Sequence, residues 1–125
     1  VYYIQYAHAR IASIFRQASE KGYAWNRTAA EAARTRLGEP QENALITELM
    51  RFPEVVQAAA QQRAPQIVAN YLRELAAGFH AFYNALPILI ADEELRHARL
   101  GLCAATRQVL ANGLGLLGVS APESM

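Results

Sequence analysis

The sequence predicts an all-α fold, a single helical bundle of about five helices. Three observations lead there. Hydrophobic residues make up 53% of the chain, and Ala, Leu, Glu, Gln and Arg prevail over the β-branched strand formers, which is the composition of a helical protein. Apolar residues recur at three- and four-residue intervals over long stretches, the period of a helix with one buried face. Proline and glycine fall between those stretches, where helices start and stop.

The first helix is expected from about Tyr2 to Lys21, with Gly22 stopping it. At about 100° per residue, Ile4, Ala7, Ile11, Ile14, Phe15 and Ala18 share one face, which must be buried. Tyr3, Tyr6, Arg10 and Gln17 form a second stripe about 110° round from it. Tyr23 to Gly38 reads as a loop with a helical turn. A second helix fits Pro40 to Arg51, carrying Leu45, Ile46, Leu49 and Met50. Phe52-Pro53 breaks it, and Pro53 then sits in the first turn of a third helix through Gln62. Ala64-Pro65 repeats the device and opens a fourth helix, to about Ala85. Its stripe of Ile67, Val68, Tyr71, Leu72, Leu75, Phe79, Phe82 and Leu86 is the clearest in the chain. LPILIA follows as a loop that packs down. Asp92 caps a fifth helix with Glu93 and Glu94 in its first turn. This helix turns Leu95, Leu102, Cys103, Thr106, Val109 and Leu110 inward, and Asn112 with Gly113, Gly115 and Gly118 is expected to end it.

A length of 125 residues suits one domain, residues 1–125, with a real core. The net charge of +1 does not by itself argue for nucleic acid, but eleven of the twelve cations are Arg and Lys21 is the only lysine. Arginine favours planar contacts to phosphates and bases, although a GC-rich genome gives the same bias. Cys103 is the only cysteine, so no disulfide forms within the chain. With no signal peptide and no membrane-spanning apolar run, the expectation is a cytoplasmic protein with no membrane partner. Helical periodicity starts at once at VYYIQYAHAR, without an initiator Met or a capping side chain. That start suggests a fragment cut from a longer chain.

Few residues suggest chemistry. Gly113, Gly115 and Gly118 spell G-x-G-x-x-G. A dinucleotide site needs a strand before that motif, a helix after it and an acidic residue about 20 positions on. Only Val119 to Met125 follow, Pro122 among them, so that reading fails. Glu94-Leu-Arg-His97 has the E-x-x-H spacing of di-iron bundles, but neither His8 nor His80 supplies the second half. The plainer reading has Glu94 capping the helix and His97 on its solvated face. Cys103 lies on an apolar face, where cysteine acts as a small hydrophobe. No catalytic residue, metal ligand or cofactor-binding residue is assigned. Arg99, among apolar positions, pairs with a carboxylate or with helix-end carbonyls, or else lines a groove. The Tyr3–Tyr6–Arg10 stripe is the best local candidate, because flat rings and guanidinium planes are what unpaired bases stack on. Tyr83, at the edge of the fourth helix's stripe, is similar. Against this, tyrosines commonly edge a core with their hydroxyls in water.

Longer motifs add a resemblance. YIQYAHARIASIFRQA, LMRFPEVVQAAA, YLRELAAGFHAFYNA and ELRHARLGLCAATRQVLANGLGLLGVSAPESM resemble, in that order, the C-terminal domain of arginyl-tRNA synthetases. This is the all-helical anticodon-binding domain of a class I synthetase, of the type named after a D-A-L-R motif. The resemblance runs from Val1 to Met125. It implies a non-catalytic domain that binds the anticodon stem-loop of arginine tRNA. The parent's catalytic domain, absent here, would use ATP and arginine for aminoacylation. The resemblance carries RNA contact onto Tyr3, Tyr6 and Arg10 of QYAHAR, Tyr83 of FYNA, and Met125. Two departures stand out. The family tail usually ends P-E-R-M, where this chain has Pro122-Glu123-Ser124-Met125, and LPILIA replaces the usual turn after FYNA. The competing readings are a protein-interaction bundle and a metal–carboxylate enzyme.

Overall fold

The computed structural model describes all residues, Val1–Met125. It contains no strand. Six α-helices and one short 3₁₀ turn follow in order: α1 (Tyr2–Glu20), α2 (Arg27–Ala32), the turn (Arg34–Arg36), α3 (Pro40–Met50), α4 (Phe52–Gln62), α5 (Gln66–Ala85) and α6 (Glu93–Leu116). The five expected helices are all present. The sixth, α2, is the helical turn expected between Tyr23 and Gly38. It starts where the Asn26 side chain accepts the Ala29 N–H at 2.7 Å, an N-cap that fixes so short a helix in place.

The core has one centre. α5 packs against α1, α3, α4 and α6, and α6 packs against α1, α2, α3 and α5. Ile4, Ile11, Leu45, Leu72, Leu75, Phe79, Phe82, Leu100, Leu110 and Leu114 are all fully buried there. The stripes predicted for α1 and α5 therefore do face inward. Phe15 packs at the edge, against Trp25.

One expected boundary is wrong, and its cause is packing. α6 does not end at Asn112; it runs through Gly113 and Gly115 to Leu116. Leu114 is fully buried, so the last turn is held by the core. Gly113 is needed for close approach rather than for termination. A Cβ there would lie 2.6 Å from both Leu72 methyl groups. The terminator is Gly118 alone, with φ of +71°. The N–H of Val119 returns to the Leu114 carbonyl at 2.9 Å and closes the turn. A Cβ at Gly115 would meet nothing within 4 Å. A Gly115→Ala chain should accordingly unfold at higher denaturant, gaining about 0.5–1 kcal/mol from helix propensity. Gly113→Ala should show no such gain, because its methyl group meets Leu72; a denaturant titration of both variants tests the contrast.

Arg99 follows its plainer expectation. Its Nε donates to Glu42 Oε2 at 2.8 Å and its Nη1 to the Pro87 carbonyl at 2.7 Å. Glu42 is fully buried, and its Oε1 accepts the backbone N–H groups of Gly38 and Glu39 at 2.9 Å each. One carboxylate thus joins the start of α3 to α6 and, through Arg99, to the loop after α5. Burial alone would push the Glu42 pKa up. The Arg99 hydrogen bond, the two backbone N–H groups and the Arg99 charge outweigh it and hold the carboxyl below its ordinary value.

The second correction concerns His97. It was expected on a solvated face, but it is only 8% exposed. α2 and the 3₁₀ turn lie across this part of α6, and Ala29, Ala32, Ala33 and Arg36 share a cleft with His97. The cap on α6 is Asp92, whose Oδ1 accepts the Leu95 N–H at 3.3 Å; Glu94 lies in the first turn beyond it.

Candidate nucleic-acid interface

The residues singled out in the sequence come together on one side of the bundle, where α1 crosses α5 and the C-terminal tail returns. Helical spacing puts Tyr3, Tyr6 and Arg10 on one edge of α1, beside the buried face of Ile4, Ala7 and Ile11. Tyr3 and Tyr6 are 44% and 43% exposed, so large aromatic surface meets solvent without leaving the core's edge. Across from them, α5 presents His80 and Tyr83 one turn apart.

The Arg10 guanidinium lies over the Tyr83 ring, 3.8 Å from its centroid, and 6.0 Å from that of Tyr6. This is a cation–π layer in which the planar cation already covers one face of Tyr83. The His80 ring sits in the middle. It stacks on Tyr6 with centroids 5.8 Å apart and planes 27° apart, and it tilts against Tyr3 at 5.3 Å. Arg10 Nη1 lies 3.1 Å from His80 Nδ1. Sequence reasoning did not find His80. Its only signal was its position three residues before Tyr83, on the same helix edge.

The tail completes the site. Gln5 donates to the Ser120 carbonyl at 3.0 Å, and Arg16 to the Glu123 carbonyl at 3.0 Å. His8 Nδ1 is 2.7 Å from the Pro122 carbonyl; a carbonyl only accepts, so Nδ1 carries the proton. These contacts draw the last residues along α1 and bring Met125 beside Arg10 and Tyr83. The result is a pocket of about 300 Å³ whose lining includes Tyr6, Arg10, Arg16, Tyr83, Ser124 and Met125. Its lining side chains include two arginines and no carboxylate. Of the five residues carried from sequence, Tyr3 alone is outside the lining, and it joins the cluster through His80.

The other candidates do not assemble. Glu94 lies 3.6 Å from Arg36, while His97 Nε2 faces Glu93 at 3.8 Å. No three His, Cys, Asp or Glu residues come together to hold a metal. A larger groove of about 570 Å³ between α2 and α6 is lined mainly by small and apolar residues such as Ala30, Leu37, Gly101 and Val109, with Trp25, Arg27 and Arg34 also present but none of the residues singled out above. Cys103 is fully buried, and burial pushes its thiol up to about 12. It should stay unlabelled by a thiol reagent in the native protein and react fully once denaturant is added. Labelling of native protein at the rate of a free thiol would contradict that burial.

Fold and surface together define an all-helical bundle that carries an exposed aromatic–guanidinium face. More particularly, the model of the DALR anticodon binding domain family matches residues 4–125, and the chain belongs to that family. It is similar over all 125 residues to the arginine–tRNA ligase of Halorhodospira halophila, at 62% identity, and to that of Thioalkalivibrio sulfidiphilus, at 53%. It spans 21% of the length of each of these relatives. Among solved structures, it resembles Thermus thermophilus arginyl-tRNA synthetase with a TM-score of 0.84 at 42% identity, covering 98% of this chain and 21% of that one. A Campylobacter jejuni protein described as a putative arginyl-tRNA synthetase gives 0.82 at 30% identity, covering 99% of this chain and 26% of that one. No helix is long and apolar enough to cross a membrane.

Proposed function

We propose that residues 1–125 are the anticodon-binding domain of a longer arginyl-tRNA synthetase and select arginine tRNA by its anticodon stem-loop. The observation that carries this reading is the convergence of Tyr6, Arg10, Tyr83 and Met125 around one pocket, with Tyr3 beside it, in a member of the DALR family. The work of this domain is recognition. Unpaired loop bases stack on the exposed rings of Tyr3 and Tyr6 and on the open side of the Arg10–Tyr83 layer. Arg16 and the edge of Arg10 meet phosphate, which positions the loop without reading it. Met125 supplies an apolar, deformable contact at the pocket's rim. ATP and arginine belong to the catalytic part of the longer enzyme, which attaches arginine to its tRNA in the cytoplasm.

A binding titration at two salt concentrations tests the reading. It compares an arginine-tRNA anticodon stem-loop with one carrying a changed anticodon. The expected result is tighter binding to the arginine loop, weakening as salt rises. Equal affinity for the two loops would remove the assignment of anticodon selection to these residues.

A further inference from the structure

His80 is the one member of the aromatic–arginine cluster with no role so far, and its hydrogen bonding is specific. An arginine N–H can only donate, so His80 Nδ1 accepts from Arg10 across their 3.1 Å contact. The ring is then the neutral tautomer with its proton on Nε2. That Nε2 is buried and has no partner. The ring cannot turn to trade its nitrogens freely, because Tyr3, Tyr6 and Phe79 pack around it with centroids 5.3–5.8 Å away. The same acceptor bond fixes Arg10, whose guanidinium carbon lies 3.8 Å from the centre of the Tyr83 ring.

We propose that His80 is the positioning residue of this site: as a neutral acceptor it holds the Arg10 guanidinium over Tyr83, and its protonation releases that group and weakens RNA binding in acid. The proposal rests on the RNA-binding reading above, and deepens it by naming what orients the stacking surface and what regulates it. The groups facing the ring are Tyr3, Tyr6 and Arg10 from α1 and Phe79 from α5 itself, with Tyr83 on the far side of Arg10. Arg10 is the charged group acting on it; burial first, and then this cation, hold the imidazole below its ordinary value. His80 is therefore neutral at pH 7 and gains its proton only in acid. A protonated ring has no acceptor left for Arg10 and sets one cation against another.

The sign distinguishes positioning from simple charge. An added proton near RNA would by itself tighten binding, whereas loss of the Arg10 anchor loosens it. Three proteins are titrated with the arginine stem-loop from pH 5 to 8. The wild type should lose affinity as pH falls. His80→Phe keeps a flat ring but no acceptor, and should bind roughly two- to tenfold more weakly at pH 7, the size of one hydrogen bond, with a flattened acid response. His80→Asn keeps an acceptor near Nδ1 and cannot be protonated, so it should restore neutral-pH affinity and remain insensitive to acid. Wild-type affinity with an unchanged pH profile in His80→Phe would overturn the proposal. Independently of RNA, ¹⁵N spectra of the free wild-type chain should show His80 protonated at Nε2 only and a slowly rotating Arg10 guanidinium that is freed in His80→Phe. A proton on Nδ1 at pH 7 would also overturn the proposal. Failure of the wild type to bind any stem-loop would remove the RNA reading, while the spectra still decide the positioning role.

Discussion

Replacing Arg99 by Met should lower unfolding stability by about 3–5 kcal/mol in a urea titration, the effect of removing one partner from a buried ion pair. The size follows from what remains. Glu42 is fully buried, and without Arg99 it keeps only the Gly38 and Glu39 N–H groups against the cost of desolvation. The pH dependence gives a second signature. In the wild type the Glu42 carboxyl is held below its ordinary value of 4.5. Its contribution is thus complete above that value and lost as pH falls through the lower folded-state one. In the variant burial dominates and the carboxyl rises, so the unpaired charge is relieved by protonation. The stability gap between the two proteins should narrow on acidification. Adding Glu42→Gln, which keeps an acceptor for the two backbone N–H groups without the charge, should recover much of the loss. A gap below about 1 kcal/mol at neutral pH would mean that the pair is solvated like a surface bridge.

Tyr83→Ala should weaken binding of the arginine stem-loop by about 1–3 kcal/mol, roughly five- to 150-fold, if a base completes the layer that Arg10 and Tyr83 begin. Removing the ring also removes the floor on which the guanidinium lies, 3.8 Å from the ring centre. Arg10→Lys separates the two contributions. It keeps the charge and loses the plane. Its affinity should fall most of the way to that of Tyr83→Ala, while the slope against salt stays near wild type, since the number of cations is unchanged. Binding of Tyr83→Ala at wild-type strength would take Tyr83 out of the interface.

Much of this was legible in the sequence because the responsible signals are local. The stripes of α1 and α5 obey the helical period, and the tyrosine–arginine edge of α1 follows from the same rotation that buries Ile4 and Ile11. Arg99 announced itself as a charge among apolar positions, though its partner Glu42, fifty-seven residues away, did not. What stayed hidden depends on contacts across the fold. Gly113 looks like a terminator until Leu72 is seen against it. His97 looks solvated until α2 is laid over α6. His80 has an ordinary sequence context, and only the crossing of α1 and α5 puts it between two tyrosines and an arginine. Tyr83 was locally suggestive, but placing Met125 near it needed the family resemblance. The path of the tail depends on backbone carbonyls, which every residue possesses and no sequence pattern marks.

The α1 side chains of Gln5, His8 and Arg16 grasp carbonyl oxygens of Ser120, Pro122 and Glu123, never their side groups. The clasp is therefore indifferent to which amino acids the tail spells. Drift can rewrite the tail's letters while its route persists, and Ser124 sits within that latitude. The three grasping residues have no such freedom. Mutational tolerance should be lopsided across this contact, permissive at Ser120, Pro122 and Glu123, which are held, and strict on the helix that holds them.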